Sequence, residues 1–308
     1  DRGLMSADLL FPACQPRCVR KMGVGDGHIL HVEECGPADG VPVLFLHGGP
    51  GAGCMAEHRQ LFDPAVYRVV MIDQRGAGRS LPSGELEANT TLDLIADLDY
   101  VREALGISGW IVFGGSWGSL LALAYAQIYT ENVHGLVLHG IFLGSREEIV
   151  AYARGLGSLL PRLERGDPLA TFARIILSEQ AERAAQAARV WLDYQRGLIG
   201  KEPLDAPPNP MQQARARIQM HYLTRDCFLM PGQLLAGIER IRHLPAIIVQ
   251  GLADPVCPPV AAEALHRAWP EATWVPVASA GHDALSPGMA RACIKALSWV
   301  VECVESFD

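Results

Sequence analysis

No apolar run in this chain approaches the roughly 20 residues that a membrane-spanning helix needs. The stretches Ile111–Phe113 and Leu120–Ala126 are short or interrupted by small and polar residues, so no membrane partner is expected. The opening residues Asp1-Arg2-Gly3-Leu4-Met5 lack a basic region followed by an apolar stretch and a small-residue cleavage site. That reads against a retained signal peptide and makes the cytoplasm the expected location. Positive charge is in deficit, with 26 Lys and Arg against 34 Asp and Glu and a net charge of −8. Nucleic acid is therefore disfavoured as a partner, because phosphate binding needs a concentrated basic surface. There is no Cys-x-x-Cys pair and no Cys/His cluster at zinc spacing. The eight cysteines (14, 18, 35, 54, 227, 257, 293 and 303) are expected to be reduced, buried thiols, and no metal site is expected. The glycine-containing stretch 73–80 fits no dinucleotide or phosphate-loop fingerprint, so no cofactor is expected either, and it reads as a loop that buttresses its surroundings.

At 308 residues, about half of them hydrophobic, the chain can bury one large core. Short apolar or β-branched runs alternate with helical patterns in the first and last thirds, the signature of an α/β fold with a mostly parallel sheet flanked by helices. The predicted strands are Ile29–Glu33, Val43–His47, Arg68–Asp73, Trp110–Gly114, Gly135–His139, Ala246–Gly251 and Thr273–Val277. In such sheets ligands bind at the carboxyl ends of the strands. From about 143 to 238 the strand signal disappears. Helical stretches there are broken by Pro161, Pro168, Pro203, Pro207-Pro208 and Pro210. The expected organisation is a core in two parts, 1–142 and 239–308, with an inserted helical cap at 143–238.

Gly114-Gly115-Ser116-Trp117-Gly118 follows the apolar strand Trp110–Phe113 and precedes an Ala/Leu-rich helix. This is the strand–turn–helix context of the Gly-x-Ser-x-Gly nucleophile elbow, in which a strained turn thrusts the serine hydroxyl out at a helix N-terminus. A serine hydroxyl needs a base to take its proton, and the base needs an acid to fix its tautomer. Asp254 and His282 follow the last two predicted strands in the chain order that the α/β-hydrolase fold uses, and they are the expected partners of Ser116. His221, His243 and His266 lie in or beside helical patterns, and Asp283 diverges from its neighbour His282. The oxyanion requires backbone donors. Gly49, in His-Gly-Gly-Pro-Gly at 47–51, and Trp117, which follows the serine, are assigned that role.

With those two motifs, Asp-Gln-Arg-Gly at 73–76, Val249-Gln-Gly, Val256-Cys-Pro and Ala280-Gly-His, the sequence resembles the proline iminopeptidases of the α/β-hydrolase superfamily from about residue 20 to 300. The resemblance implies metal-free hydrolysis through an acyl-enzyme, with Phe142, Tyr152 and Cys257 at a compact apolar pocket. It also implies two cap glutamates that hold the substrate's free α-amine, in Trp-Ser-x-Trp-Glu and Ile-Glu-Asn-His-Tyr-Phe segments. Here the matching positions are Gln195 and Gln219, and His139 stands where the family's Leu-Arg-Gly-Ile-Phe segment has its arginine. An amide offers a dipole and donors where a carboxylate offers charge. The 12 Lys and Arg against 10 Asp and Glu between Leu143 and Ile238 do not restore the negative field in bulk.

The expected activity is hydrolysis of a small amide or ester, on a small-molecule or short peptide-like substrate, with preference shifted away from free N-terminal proline. Asp193 and Asp226 lie near the substituted positions and could restore a carboxylate, so true prolyl aminopeptidase action stays open. An esterase or lactonase, with a perhydrolase side activity, needs the same groups. A catalytically silent ligand-binding protein is the alternative from another class. The oligomeric state is not legible.

Overall fold

The computed structural model describes residues 9–159 and 166–305. The leader reading at residues 1–5 and the helix break assigned to Pro161 lie outside the described residues. An eight-stranded sheet runs in the order β1 (Cys18–Gly25), β2 (His28–Cys35), β4 (Tyr67–Asp73), β3 (Val41–Leu46), β5 (Trp110–Ser116), β6 (Val133–Ile141), β7 (Ala246–Gly251) and β8 (Thr273–Val277). The first two pairings, β1 with β2 and β2 with β4, are antiparallel, and the other five are parallel.

The central strands β3, β5 and β7 are apolar on both faces because helices cover both sides. On one side α1 (Thr91–Ala104), α2 (Trp117–Ile128) and α8 (Pro259–Ala268) pack into a cluster with Leu44, Val112, Leu138 and Ile248. On the other, α9 (Pro287–Glu305) sets Met289, Cys293 and Leu297 against Val43, Phe113, Val137 and Val249. Each strand's successive side chains enter opposite clusters, as the pleat requires.

Between β6 and β7 the described chain is helical: α3 (Arg146–Ala153), α4 (Pro168–Ile176), α5 (Ala181–Leu198), α6 (Pro210–Leu223) and α7 (Gln233–Ala236), with short 3-10 turns. Pro168 and Pro210 stand at the first positions of α4 and α6, where proline's missing N–H costs nothing, and Asp167 and Asn209 cap these helices. Helix α6 lies against the strand ends. Ile218 meets Gly51, and the Tyr222 ring packs edge-on against Trp117 at 4.8 Å between centroids.

All seven predicted strands are present, and β1 is an eighth. His47 falls just beyond β3 rather than within it. None of the eight cysteines forms a disulfide among the described residues, but only Cys35, Cys227, Cys257 and Cys293 are buried. The expectation of buried thiols is corrected for Cys14, Cys18, Cys54 and Cys303, which lie in the edge strand, loops and last helix where packing is one-sided. No helix among the described residues is long and apolar enough to cross a membrane.

Candidate active site

The turn from β5 into α2 is built of small residues because two backbone carbonyls and a side-chain ring crowd it. A Cβ on Gly114 would lie 2.2 Å from the Gly118 carbonyl oxygen, and one on Gly118 would lie 2.3 Å from that of Leu46. One on Gly115 would lie 1.8 Å from the His139 ring. Ser116 takes φ 55° and ψ −127°, a conformation that costs a non-glycine residue of order 1–3 kcal/mol. It is the one residue of β5 that is not buried, and it opens on a cavity. Ser119 Oγ ties the turn down by donating to the Ser116 carbonyl at 2.6 Å and accepting from the Phe142 amide at 3.1 Å.

Asp254 and His282 meet across the ends of β7 and β8, with His282 Nδ1 2.8 Å from Asp254 Oδ2. The other carboxylate oxygen accepts the Val256 and Cys257 amides at 2.8 and 2.9 Å. Asp254 is 4% exposed and so is locked on both oxygens. A Cβ on Gly140 would lie 3.4 Å from the His282 ring and 3.5 Å from Asp254 Oδ2, which places the pair beside the end of β6. Asp283 is not part of the pair and caps the following turn at the Leu285 amide.

The loop after β3 is braced by His47, whose Nε2 accepts the Gln74 amide at 3.0 Å. Its Nδ1 lies between the Gly48 carbonyl at 2.9 Å and the Gly53 amide at 3.2 Å, and burial lowers the pKa of this imidazole. Gln74 Oε1 in turn accepts Trp117 Nε1 at 2.9 Å. Stretch 73–80 is thus a buttress, as its sequence suggests. Burial would raise the Asp73 pKa, but hydrogen bonds from Arg79 and the Cys54 amide hold it below its ordinary value. Gly49 and Ser116 line the same cavity, and Trp117 opens α2, where amides have no helical partner.

That cavity measures about 800 Å3, and Phe142, Tyr152 and Cys257 line it together with Leu143, Leu235 and Val260. Cys257 Sγ lies 3.9 Å from Ser116 Oγ. Burial, and then the charge of Asp254, push its thiol well above the usual range, so it stands there as a neutral wall rather than a thiolate.

The two glutamines meet beside this cavity. Gln219 Oε1 accepts Trp191 Nε1 at 2.7 Å and Gln195 Nε2 at 3.1 Å, while Gln219 Nε2 reaches the Gly49 carbonyl at 3.4 Å. His139 stands apart from them, packed over Gly115 with its ring 5.6 Å from that of Phe113. Burial, then the neighbouring His282, lower its pKa to about 3. Asp193 is engaged elsewhere, accepting the Leu204 amide at 2.7 Å. Asp226 does reach the cavity lining, 56% exposed and 3.8 Å from Arg146.

Sequence reasoning passed over Arg215, which donates to Gln195 Oε1 at 3.4 Å. The signal was the helical period: residues 215 and 219 are one turn apart on α6, as 191 and 195 are on α5.

The geometry defines a hydrolase of the nucleophile-elbow type, and residues 41–288 match the alpha/beta hydrolase fold family. The chain is 43% identical over 303 residues to the proline iminopeptidase of Neisseria meningitidis serogroup B, covering 94% of this chain and 97% of that one. It is 40% identical over 305 residues to the probable proline iminopeptidase of Leptolyngbya boryana, covering 93% and 95%. The crystal structure of a proline iminopeptidase-related protein from Thermus thermophilus superposes with a TM-score of 0.61 at 22% identity, covering 93% of this chain and 97% of that one, a likeness of fold. The chain belongs to the α/β-hydrolase fold family and, within it, is a serine hydrolase of the proline iminopeptidase family.

Proposed function

We propose that Ser116 is the nucleophile, His282 its general base and Asp254 the group that orients His282, with the amides of Gly49 and Trp117 as oxyanion donors. We take residues 143–238 as a cap over a core made of 1–142 and 239–308. The observation that carries this reading is the pairing of the part-exposed His282 with the buried Asp254. With Nδ1 bound to Asp254, the histidine offers Nε2 to the serine proton, and the carboxylate stabilises the imidazolium that forms.

The Ser116 oxygen adds to the substrate carbonyl as its proton passes to His282, and the negative oxygen turns to the amide donors. Collapse of this intermediate expels the amine or alcohol, which takes the proton from His282. Water then attacks the acyl-enzyme, giving its proton to His282, which passes it to the Ser116 oxygen as the ester bond breaks and the acid product departs. The substrate is a small amide or ester with its acyl part in the Phe142, Tyr152 and Cys257 cavity.

Substrate preference is shifted from a free α-amine, because Gln195 and Gln219 carry no charge to pair with it. The relatives' name supplies a second reading, release of N-terminal proline, which Asp226 at the cavity lining favours. Labelling of Ser116 by a fluorophosphonate, lost in Ser116→Ala, is the expected result; an unlabelled wild type would sink the nucleophile assignment. Comparing proline 4-nitroanilide with its N-acetyl form decides the preference. Comparable turnover supports the shift, and turnover of the free amine alone overturns it.

A further inference from the structure

The two glutamines have settled orientations because each faces a group that can only donate. Trp191 Nε1 has no lone pair to offer, so the atom of Gln219 that it meets at 2.7 Å is oxygen. Arg215 fixes the Gln195 oxygen by the same logic. Gln219 Oε1 then accepts a second hydrogen bond from Gln195 Nε2, which uses both of its lone pairs. The acceptors of this wall face inward to the protein, and what remains is a set of N–H groups.

Arg215 adds charge to that set. Its Nε is buried with no hydrogen-bond partner, and no carboxylate among the described residues pairs with its guanidinium. Burial lowers its pKa, yet a guanidinium remains a cation at neutral pH. Arg215 as a residue is part-buried, but a guanidinium whose Nε is sealed from water without an acceptor is costly unless something supplies the missing partner.

The position of Arg215 ties it to the cavity. A Cβ on Gly51 would lie 3.4 Å from the Arg215 Cα, two residues from Gly49 in the lining. Tyr152, also in the lining, has Arg215, Gln195 and Cys257 as electrostatic neighbours, and Cys257 is the residue that touches Ser116. A donor wall with a part-buried cation thus stands directly behind Gly49 and Tyr152, two residues of the cavity lining.

We propose that Arg215, with the amide groups of Gln195 and Gln219, forms a subsite for a carboxylate carried on the acyl part of the substrate. The inference rests on the reading of Ser116 as nucleophile and sharpens it: the preferred substrates are amides or esters of short dicarboxylic acids. An ammonium at this place meets a guanidinium and N–H groups; a carboxylate meets two amide donors and the missing counter-charge.

Three chain-length-matched sets of 4-nitroanilides test this: succinyl and glutaryl, butyryl and pentanoyl, 3-aminopropionyl and 4-aminobutyryl. The acidic members are expected to exceed their length-matched neutral counterparts in kcat/KM by about tenfold or more, mainly through KM, with the cationic members lowest. Arg215→Leu collapses this difference, and Arg215→Lys retains part of it. Gln195→Glu, which hands Arg215 a carboxylate inside the protein, moves the preference toward the cationic set. Equal values for acid and neutral members at both lengths, or a preference that survives Arg215→Leu, would overturn the proposal.

Calorimetric binding of the same anilides to Ser116→Ala reads the subsite without chemistry. Tighter binding of the glutaryl than of the pentanoyl compound supports it, and equal binding refutes it. If the wild type resists fluorophosphonate, the nucleophile assignment falls while the calorimetry still decides the fate of the subsite.

Discussion

At Gly115 the space beyond the Cα is filled by the His139 ring, 1.8 to 2.4 Å from where a methyl group would sit. Gly115→Ala must displace that ring or strand β5, at a cost of roughly 1–3 kcal/mol in unfolding free energy together with a fall in kcat. Gly23→Ala, in a position with nothing within 4 Å, serves as the control and is expected to be near neutral in the same urea titration. His139 itself has a pH signature. Its folded pKa of about 3 lies below the ordinary 6.5, so on acidification the unfolded chain takes up the proton first. Its contribution is fully present above about pH 6.5 and is lost as the pH falls toward 3. Replacing His139 with Asn should flatten the decline of stability between pH 6 and 4 by up to ~1.4 kcal/mol per pH unit. An unchanged slope in urea titrations at pH 6, 5 and 4 would contradict this. The residues of the elbow were legible in sequence because their chemistry is local. The role of His139 was not, because its neighbours Phe113, Gly115 and His282 come from two other strand ends.

Among the elements, the strands of the parallel sheet declared themselves as short apolar runs because both their faces are buried. Strand β1 did not, since it is an edge strand with Arg20 and Lys21 in a mostly exposed pattern. The Gly25-Asp26-Gly27 turn before β2 was the signal that could have revealed it, as a hairpin turn of residues that tolerate positive φ. Helix α6 carries the glutamine and arginine of the proposed subsite, and its start is held by a reciprocal pair. Asn209 Oδ1 accepts the Gln212 amide, and Gln212 Oε1 accepts the Asn209 amide, both at 2.9 Å. Asn209→Ala should lower stability by about 1 kcal/mol, read from the urea midpoint at unchanged slope. A shift toward higher stability would show that the cap is not holding the helix.

Across the whole molecule, Arg75 joins segments that are far apart in sequence. Its guanidinium makes two bonds to Asp97 of α1 at 2.7 and 2.8 Å and a third to Asp26 in the β1–β2 turn at 3.2 Å. Removing it by Arg75→Met strands the buried Asp97 carboxylate and should cost about 3–5 kcal/mol in urea unfolding. Arg75→Lys should recover little, because an ammonium cannot reproduce the two-pronged contact. The amino-acid order alone determined seven of the eight strands, the elbow and the Ser116, Asp254, His282 order, since each depends on periodicity or on a few adjacent residues at a strand end. Which way Gln195 and Gln219 turn, and what charge stands behind them, was decided by tertiary structure alone. Trp191, Gln195, Arg215 and Gln219 come from two helices, and only their packing shows that the glutamine oxygens are already occupied and that the nearby guanidinium has no carboxylate partner among the described residues.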